Sequence, residues 1–352
     1  MEKQLRVNLK ENSYSIHIKS GLLTEAGERI REIYQGNKIF VLTDHHVNGK
    51  YMKDLLFSLK EEGYKVHVYS QEPGEATKSL MQLQKIYDAL LQAEMTRKDL
   101  LVVLGGGVVG DIGGFAAATY LRGIPFLQIP TSLLAQVDSS VGGKVAVDLP
   151  QGKNLVGNFY QPKAVLIDPL VLSTLPDKFF TDGMAEVIKY GCIKDPDLFE
   201  LLSSNTNRES IMKHIDEIIF RCCDLKRALV EEDEKDTGSR MLLNFGHTMA
   251  HAIEQIQKYE GLTHGEAVAV GMYHITEKSE ALGLTAKGTA EKIKNILLAH
   301  RLPVGISSIS ENAIKRVILR DKKRDGDKLN VVLLKQIGES YLYEGGKSLW
   351  EI

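Results

Sequence analysis

Leu100-Leu-Val-Val-Leu-Gly-Gly-Gly-Val-Val-Gly-Asp111 is an apolar run that ends in three consecutive glycines and leads into a stretch rich in alanine and glycine. Such a run reads as a buried strand. Glycines at a strand-to-helix turn let backbone N–H groups approach a pyrophosphate at a helix N-terminus. The spacing is not Gly-x-Gly-x-x-Gly, and a glycine turn also serves plain packing. Outward from it, Ile39 to Thr43, Tyr64 to Tyr69, Phe126 to Ile129 and Ala164 to Asp168 are further short runs rich in β-branched residues. Between them, Glu75 to Gln92 places Leu80, Leu83, Ile86, Tyr87, Leu90 and Leu91 on one helical face. This alternation predicts an α/β, Rossmann-like nucleotide-binding domain around a largely parallel sheet.

After Leu175-Pro176-Asp177 the pattern becomes helical, over 177–190, 209–230, 241–259, 265–283, 286–300 and 310–320, with one late strand at Leu329 to Leu334 paired with Ser340 to Tyr343. The expected organisation is an α/β domain over 1–175 and a mainly α-helical domain over 176–352, with an active site in the cleft between them. A length of 352 residues agrees with two domains at roughly 150 residues each. Lys322 to Lys328 is the one dense charge run and reads as a solvated loop.

A formal net charge of -2 argues against general nucleic-acid binding. The three cysteines, Cys192, Cys222 and Cys223, have no Cys-x-x-Cys spacing, which supports neither a disulfide framework nor a thiolate metal site and fits a reducing cytoplasm. The charged N-terminus does not read as a secretory leader. The richest apolar stretch, Leu100 to Ala118, is interrupted by Gly105 to Gly107 and Asp111, short of the ~20 residues of a membrane span.

The residues that carry chemistry are polar groups in apolar company. Asp44, Glu75, Lys78, Thr131 and Ser132 sit at strand ends or loops, where α/β sheets bind ligands; each alone is more often a cap or a surface charge than a ligand, and their value is collective. Gln136 to Gly157 combines small residues, Asp138, Lys144 and Lys153 without a clear period and reads as a packed site loop. In Arg240-Met-Leu-Leu-Asn-Phe-Gly-His-Thr-Met-Ala-His251, spacings of four, three and four put Arg240, Asn244, His247 and His251 on one helical face. Such a polar stripe should face a site. Thr263-His-Gly-Glu266 and the pair Glu186 and Lys189 follow; one carboxylate and two imidazoles make a catalytic metal set with an open position. Thr263 and Glu266 equally form a capping box, and Glu186 with Lys189 an ordinary surface ion pair.

These segments resemble the 3-dehydroquinate synthases, sugar phosphate cyclases, along nearly the whole chain. GGGVVGDIGGFAAATYLRG, IPTSLLAQVDSSVGGK, GKNLVGNFYQP, GMAEVIKYG, LLNFGHTMAHAIE and LTHGEAVAVGM stand in the family's order and spacing. The resemblance implies a cytoplasmic homodimer that cyclises the phosphorylated sugar acid 3-deoxy-D-arabino-heptulosonate 7-phosphate, using NAD and Zn2+ or Co2+. It implies metal ligation by Glu186, His247 and His264. It implies an NAD pocket lined by Asp44, Glu75, Lys78, Gly106, Gly107, Val108, Asp111, Thr131, Ser132, Leu134, Lys144, Lys153, Thr174 and Leu175. Catalytic roles fall to Lys144, Asn154, Lys189, Lys226, Arg240, Asn244 and His251, and substrate contacts to Asp138, Lys323 and, from a partner subunit, Arg122. The implied chemistry is a transient oxidation that acidifies a neighbouring proton, phosphate elimination, return of the hydride and an intramolecular aldol closure. No nucleic acid and no membrane take part.

Three stretches depart from the commonest family pattern: Pro73-Gly-Glu-Ala-Thr-Lys78, Thr131-Ser132, and Asp236 where the family has a glutamate near the site. The alternatives are a related cyclase acting on glucose 6-phosphate or sedoheptulose 7-phosphate, a metal-dependent polyol dehydrogenase, and a nucleotide-binding protein with a decayed site. Intact Arg240, Asn244 and His251 argue against the first, and an intact metal and substrate set against the last.

Overall fold

The computed structural model describes residues 2–306, 309–321, 329–346 and 348–351. Two compact units make up the chain, residues 1–176 with 226–235, and residues 177–225 with 236–352. The helix Ile215–Glu232 runs across this division, so its C-terminal turns belong with the first unit, where the sequence pattern had placed a single boundary at 175/176.

The first unit is built on strands β1 (Lys3–Val7), β2 (Tyr14–Ile18), β3 (Lys38–Asp44), β4 (Lys65–Gln71), β5 (Leu100–Gly105), β6 (Phe126–Pro130) and, after a separate hairpin of β7 (Lys144–Leu149) and β8 (Gly152–Phe159), β9 (Ala164–Ile167). The large sheet has seven strands in the order β1-β2-β9-β6-β5-β3-β4. Only the β1–β2 pairing is antiparallel. Alternate residues of the central strands feed two cores: Phe40, Leu42, Leu101 and Val103 on one face, Ile39, Val41, Leu100, Val102 and Leu104 on the other. Helices cover both faces, which is why these strands read as continuous apolar runs. The chain leaves β4 and crosses β3 to reach β5, so a switch point lies between β3 and β5. At such a point the carboxyl ends of the strands open a crevice.

The second unit is helical: Asp177–Ile193, Pro196–Ser204, Arg208–Lys213, the first part of Ile215–Glu232, His247–Ile256, His264–Ala281, Thr289–Ala299 and Glu311–Asp321, with a hairpin of β10 (Val331–Gln336) and β11 (Glu339–Tyr343). The expected fold class is therefore borne out. Among the described residues no helix is long and apolar enough to cross a membrane.

Three local expectations need correction. The segment from Gln136 is no aperiodic loop but a wide π-helical turn at Ala135–Ser139 and the β7–β8 hairpin, in which Val145 and Val147 alternate into the core. The late strand begins two residues after Leu329. The stripe from Arg240 to His251 is not one helix: Ser239–Asn244 is a 3-10 turn, and a regular helix starts only at His247.

Gly246, between them, has φ 80, and a Cβ there would lie 2.8 Å from Val268 O. Across the same approach, a Cβ on Gly271 would lie 2.0 Å from Gly246 O. Both neighbours are backbone atoms, so neither rotates away. Gly271→Ala is therefore expected to cost about 1–3 kcal/mol as overpacking, a drop in Tm of roughly 2–12 °C for a unit of this size. Thermal unfolding measures it, and a parent-like Tm would remove the close approach from the account.

Candidate active site

In the first unit the expected cofactor residues gather at the carboxyl edge of the sheet. Asp44 ends β3, Gly105 ends β5, and Thr131 and Ser132 follow β6. Asp44 is buried and caps the helix His45–Glu61 by accepting from the Val47 N–H at 2.9 Å, so it does hold the capping role that competed with a ligand role. Gly106 caps the helix Gly107–Thr119 without a side-chain hydrogen bond. A Cβ on Gly106 or Gly107 would stand 3.4 Å from Ser132 Oγ or 3.2 Å from Ser139 Oγ. The bare first turn and its positive helix end make a cradle for a phosphate. Val108 and Asp111 lie on that helix and Leu134 precedes the turn that carries Asp138.

Beside this cradle, Lys78 is 4% exposed and reaches Asp111 Oδ2 at 2.5 Å, with Asn154 Oδ1 against the same ammonium. Burial raises the Asp111 carboxyl above its usual range, and Lys78 opposes that. Lys153 lies 3.6 Å from Glu75. Buried Lys226 donates to the backbone carbonyl of Asp138 at 2.7 Å and pairs with its carboxylate at 3.0 Å. Lys144 opens β7 and is exposed, as are Arg122 and Thr174. Tyr51 Oη meets the Thr174 hydroxyl, and Leu175 follows it.

In the second unit three helices bring the metal-ligand candidates together. Glu186 and Lys189 lie on Asp177–Ile193, His247 opens His247–Ile256, and His264 opens His264–Ala281. Glu186 is 1% and Lys189 2% exposed at the side chain, so their pair is a buried one rather than a surface one. Lys189 takes Glu186 Oε2; Glu186 Oε1 lies 3.5 Å from both His247 Nε2 and His264 Nε2. The three donors fall within 4.8 Å of one another. Ligands held about 2.0–2.1 Å from an ion at tetrahedral angles sit about 3.4 Å apart, so these separations fit a divalent metal with a position left open.

The second nitrogen of each ring is engaged. His247 Nδ1 is 3.1 Å from the Phe245 carbonyl, and His264 Nδ1 is 3.4 Å from Glu254 Oε1. Desolvation, helped by Lys189, His264 and His251 and opposed by Glu186, pushes His247 down to about 3. At His264 desolvation also lowers, but hydrogen bonds to Glu186 and Glu254 outweigh it and push the imidazole up to about 10. Two carboxylates thus hold a positive charge on His264, which a divalent cation among the three donors would replace.

Thr263 and Glu266 do form the capping box, and this places His264 rather than competing with its role. Asp182 fastens the same turn, accepting from the Gly265 N–H at 2.6 Å; the sequence pattern offered no sign of it. Arg240 is 2% exposed, Asn244 is half-buried, and His251 is exposed with its ring edge-on to His247 at 5.6 Å. Asp236 takes a left-handed φ of 60, half-buried, ahead of the turn that holds Arg240. Lys323 lies outside the described residues, as does the charge run around it.

A family model described as 3-dehydroquinate synthase N-terminal matches residues 68–182, and one described as 3-dehydroquinate synthase C-terminal matches residues 183–324. A 3-dehydroquinate synthase of Clostridium botulinum (strain Alaska E43 / Type E3) is 55% identical over 340 residues, 97% of each chain. One of Streptococcus pneumoniae (strain JJA) is 44% identical over 341 residues, 97% of this chain and 96% of the other. Among solved structures, a 2-deoxy-scyllo-inosose synthase complexed with carbaglucose-6-phosphate, NAD+ and Co2+ superposes with TM-score 0.87 at 26% identity, over 97% of this chain and 94% of that one. A 2-epi-5-epi-valiolone synthase of Streptomyces hygroscopicus subsp. jinggangensis 5008, with NAD+ and Zn2+ bound, shares the fold with TM-score 0.87 at 23% identity, over 98% and 96%. With both halves matched in order and relatives of over half identity spanning nearly the full length, the chain belongs to the 3-dehydroquinate synthase family.

Proposed function

We propose that this chain converts 3-deoxy-D-arabino-heptulosonate 7-phosphate to 3-dehydroquinate and phosphate, as a carbon–oxygen lyase dependent on NAD and on Zn2+ or Co2+. Family membership supports the reaction. The observation that carries the metal is Glu186 Oε1 standing 3.5 Å from each of two imidazole nitrogens, close to the separation of two ligands on one tetrahedral ion. The solved cyclase complexed with NAD+ and Co2+ supports both cofactors. When bound, the metal supplies Lewis acidity to a substrate hydroxyl, and NAD takes and returns one hydride.

The protein's own groups hold and orient. Glu186, His247 and His264 are the metal ligands. Lys189 is fixed by its ion pair, and Arg240 is a buried guanidinium suited to two oxygens of a carboxylate or phosphate. Asn244 and exposed His251 contact substrate, His251 handling a proton or an oxyanion. In the first unit, Gly106, Gly107 and Val108 cradle the dinucleotide phosphates, and Asp44, Glu75, Lys78, Asp111, Thr131, Ser132, Leu134, Lys153, Thr174 and Leu175 line its pocket. Lys144 serves cofactor and substrate, and Asp138, Asn154 and Lys226 serve substrate. Lys323 and, in a cytoplasmic homodimer, an Arg122 supplied by the partner subunit complete the assignment.

The test is stoichiometry. Metal-loaded protein with NAD far below substrate should release many phosphates per NAD, form dehydroquinate, and accumulate no NADH. Chelation should abolish turnover, and Zn2+ or Co2+ should restore it. Glucose 6-phosphate, sedoheptulose 7-phosphate and glycerol run in parallel; product from one of the sugars, or net NADH from glycerol, would replace this reading with the corresponding rival.

A further inference from the structure

We infer that Glu254, a residue outside the metal, cofactor and substrate sets assigned above, is the positioning residue that fixes the ring of His264; the inference rests on the metal reading. Three observations carry it. Glu254 Oε1 lies 3.4 Å from His264 Nδ1, while His264 Nε2 lies 3.5 Å from Glu186 Oε1, so the two ring nitrogens face two different carboxylates. Glu254 is 4% exposed, a placement that costs a carboxylate free energy unless hydrogen bonds compensate. Finally, Glu254 stands three residues after His251 and seven after His247 on the helix His247–Ile256, in the row that faces the site.

The chemistry follows from what each group can do. An ionised carboxylate only accepts, so a neutral His264 must carry its proton on Nδ1 to bond Glu254, which leaves the Nε2 lone pair for a metal. Without that partner the ring can turn over, or put its proton on Nε2 and donate it to Glu186, which occupies two ligands with each other. His264 is the more exposed of the two imidazoles, with 30% of its side chain in solvent against 12% for His247, and has the greater freedom to swing. His247 needs no such carboxylate, because the Phe245 carbonyl holds its Nδ1. A carboxylate behind a ligating imidazole also raises its basicity, and losing such a partner weakens metal binding by about 10–100-fold.

The experiment compares the parent with Glu254→Gln, Glu254→Ala and His247→Ala, titrating Zn2+ against a competing chelator and following the Nδ1 proton of His264 by NMR in the Zn2+-loaded proteins. We expect Glu254→Ala to bind Zn2+ about 10–100-fold more weakly and to lose the Nδ1 proton signal to exchange with water. Glu254→Gln, which keeps an acceptor oxygen without the charge, should fall between Glu254→Ala and the parent and retain the signal, and it serves as the test should Glu254→Ala fail to fold. Parent-like affinity with an unchanged Nδ1 signal in the Glu254 variants, while His247→Ala loses the metal, overturns the positioning role alone. Parent-like metal binding in His247→Ala overturns the metal reading beneath it.

Discussion

His247→Ala should leave a folded protein that neither retains Zn2+ or Co2+ through dialysis nor turns over. The side chain supplies one of three donors, and two cannot hold a catalytic metal with the third corner empty. His247 is also the donor best prepared for the task. Desolvation keeps it neutral down to about pH 3, so no proton competes for its lone pair at working pH. Its other nitrogen is held by the Phe245 carbonyl at 3.1 Å, which fixes the ring plane. Losing a Lewis acid worth several kcal/mol corresponds to a fall in kcat of about 1,000-fold or more. Because His247 stands at the first turn of its helix and is not part of the apolar core, Tm of the metal-free variant should stay close to that of the metal-free parent. Metal analysis after dialysis and initial phosphate release measure the two effects. A variant with full metal content and full activity would end the metal assignment.

How much of this could be read beforehand depended on whether local pattern or tertiary packing decided the outcome. Leu100 to Gly105 is buried at every position, so its apolar run and glycines pointed straight to the central strand and the cradle after it. β1 and β2 gave no such run. In Lys3–Val7 only Leu5 and Val7 are buried, while Gln4 and Arg6 face solvent, the mixed signature of a strand at the sheet edge. Within the candidate site, the residue types and their order were legible, but the spacing of four, three and four is shared by one helix and by a 3-10 turn joined to a helix. Gly246, with φ 80 and backbone packed against it, decides between the two, and that packing comes from the His264–Ala281 helix. Asp182 and Glu254 were missed for the same reason. A carboxylate on a helix is usually solvated, and only the burial imposed by neighbouring helices sets these two apart.

The ion pair of buried Lys78 with half-buried Asp111 in the first unit carries a large expected effect on stability. Lys78 joins three pieces of chain: its ammonium meets Asp111 on the Gly107–Thr119 helix and Asn154 in the hairpin, and its carbonyl accepts from the Asp148 N–H at 2.7 Å. Asn154 sits at φ 57, a left-handed conformation uncommon outside glycine, and is held there by Lys78 and by Asp148 Oδ1, which accepts from its N–H at 2.8 Å. Lys78→Met keeps the apolar stem but leaves Asp111 without its counter-charge. Breaking a fully buried pair from one side costs about 3–5 kcal/mol; with the Asp111 side chain 21% exposed the expected loss is about 2–3 kcal/mol, or roughly 4–12 °C in Tm at this size. The sign with pH follows from the direction of the Asp111 shift. Its folded pKa is already above the unfolded value because of burial, and Lys78 is the group that opposes this, so the variant raises it further. A carboxyl whose folded pKa is raised binds its proton more tightly when folded, so stability falls as pH rises from the unfolded value of about 4 through the folded one. The deficit of Lys78→Met should therefore be smallest near pH 4 and grow toward neutrality. Adding Asp111→Asn removes the uncompensated charge and should recover much of the loss at pH 7, leaving a flat profile. Thermal unfolding of the single and double variants across pH reads all of this. An unchanged Tm in Lys78→Met at neutral pH, or a double variant no more stable than the single, would show that the pair does not join these segments.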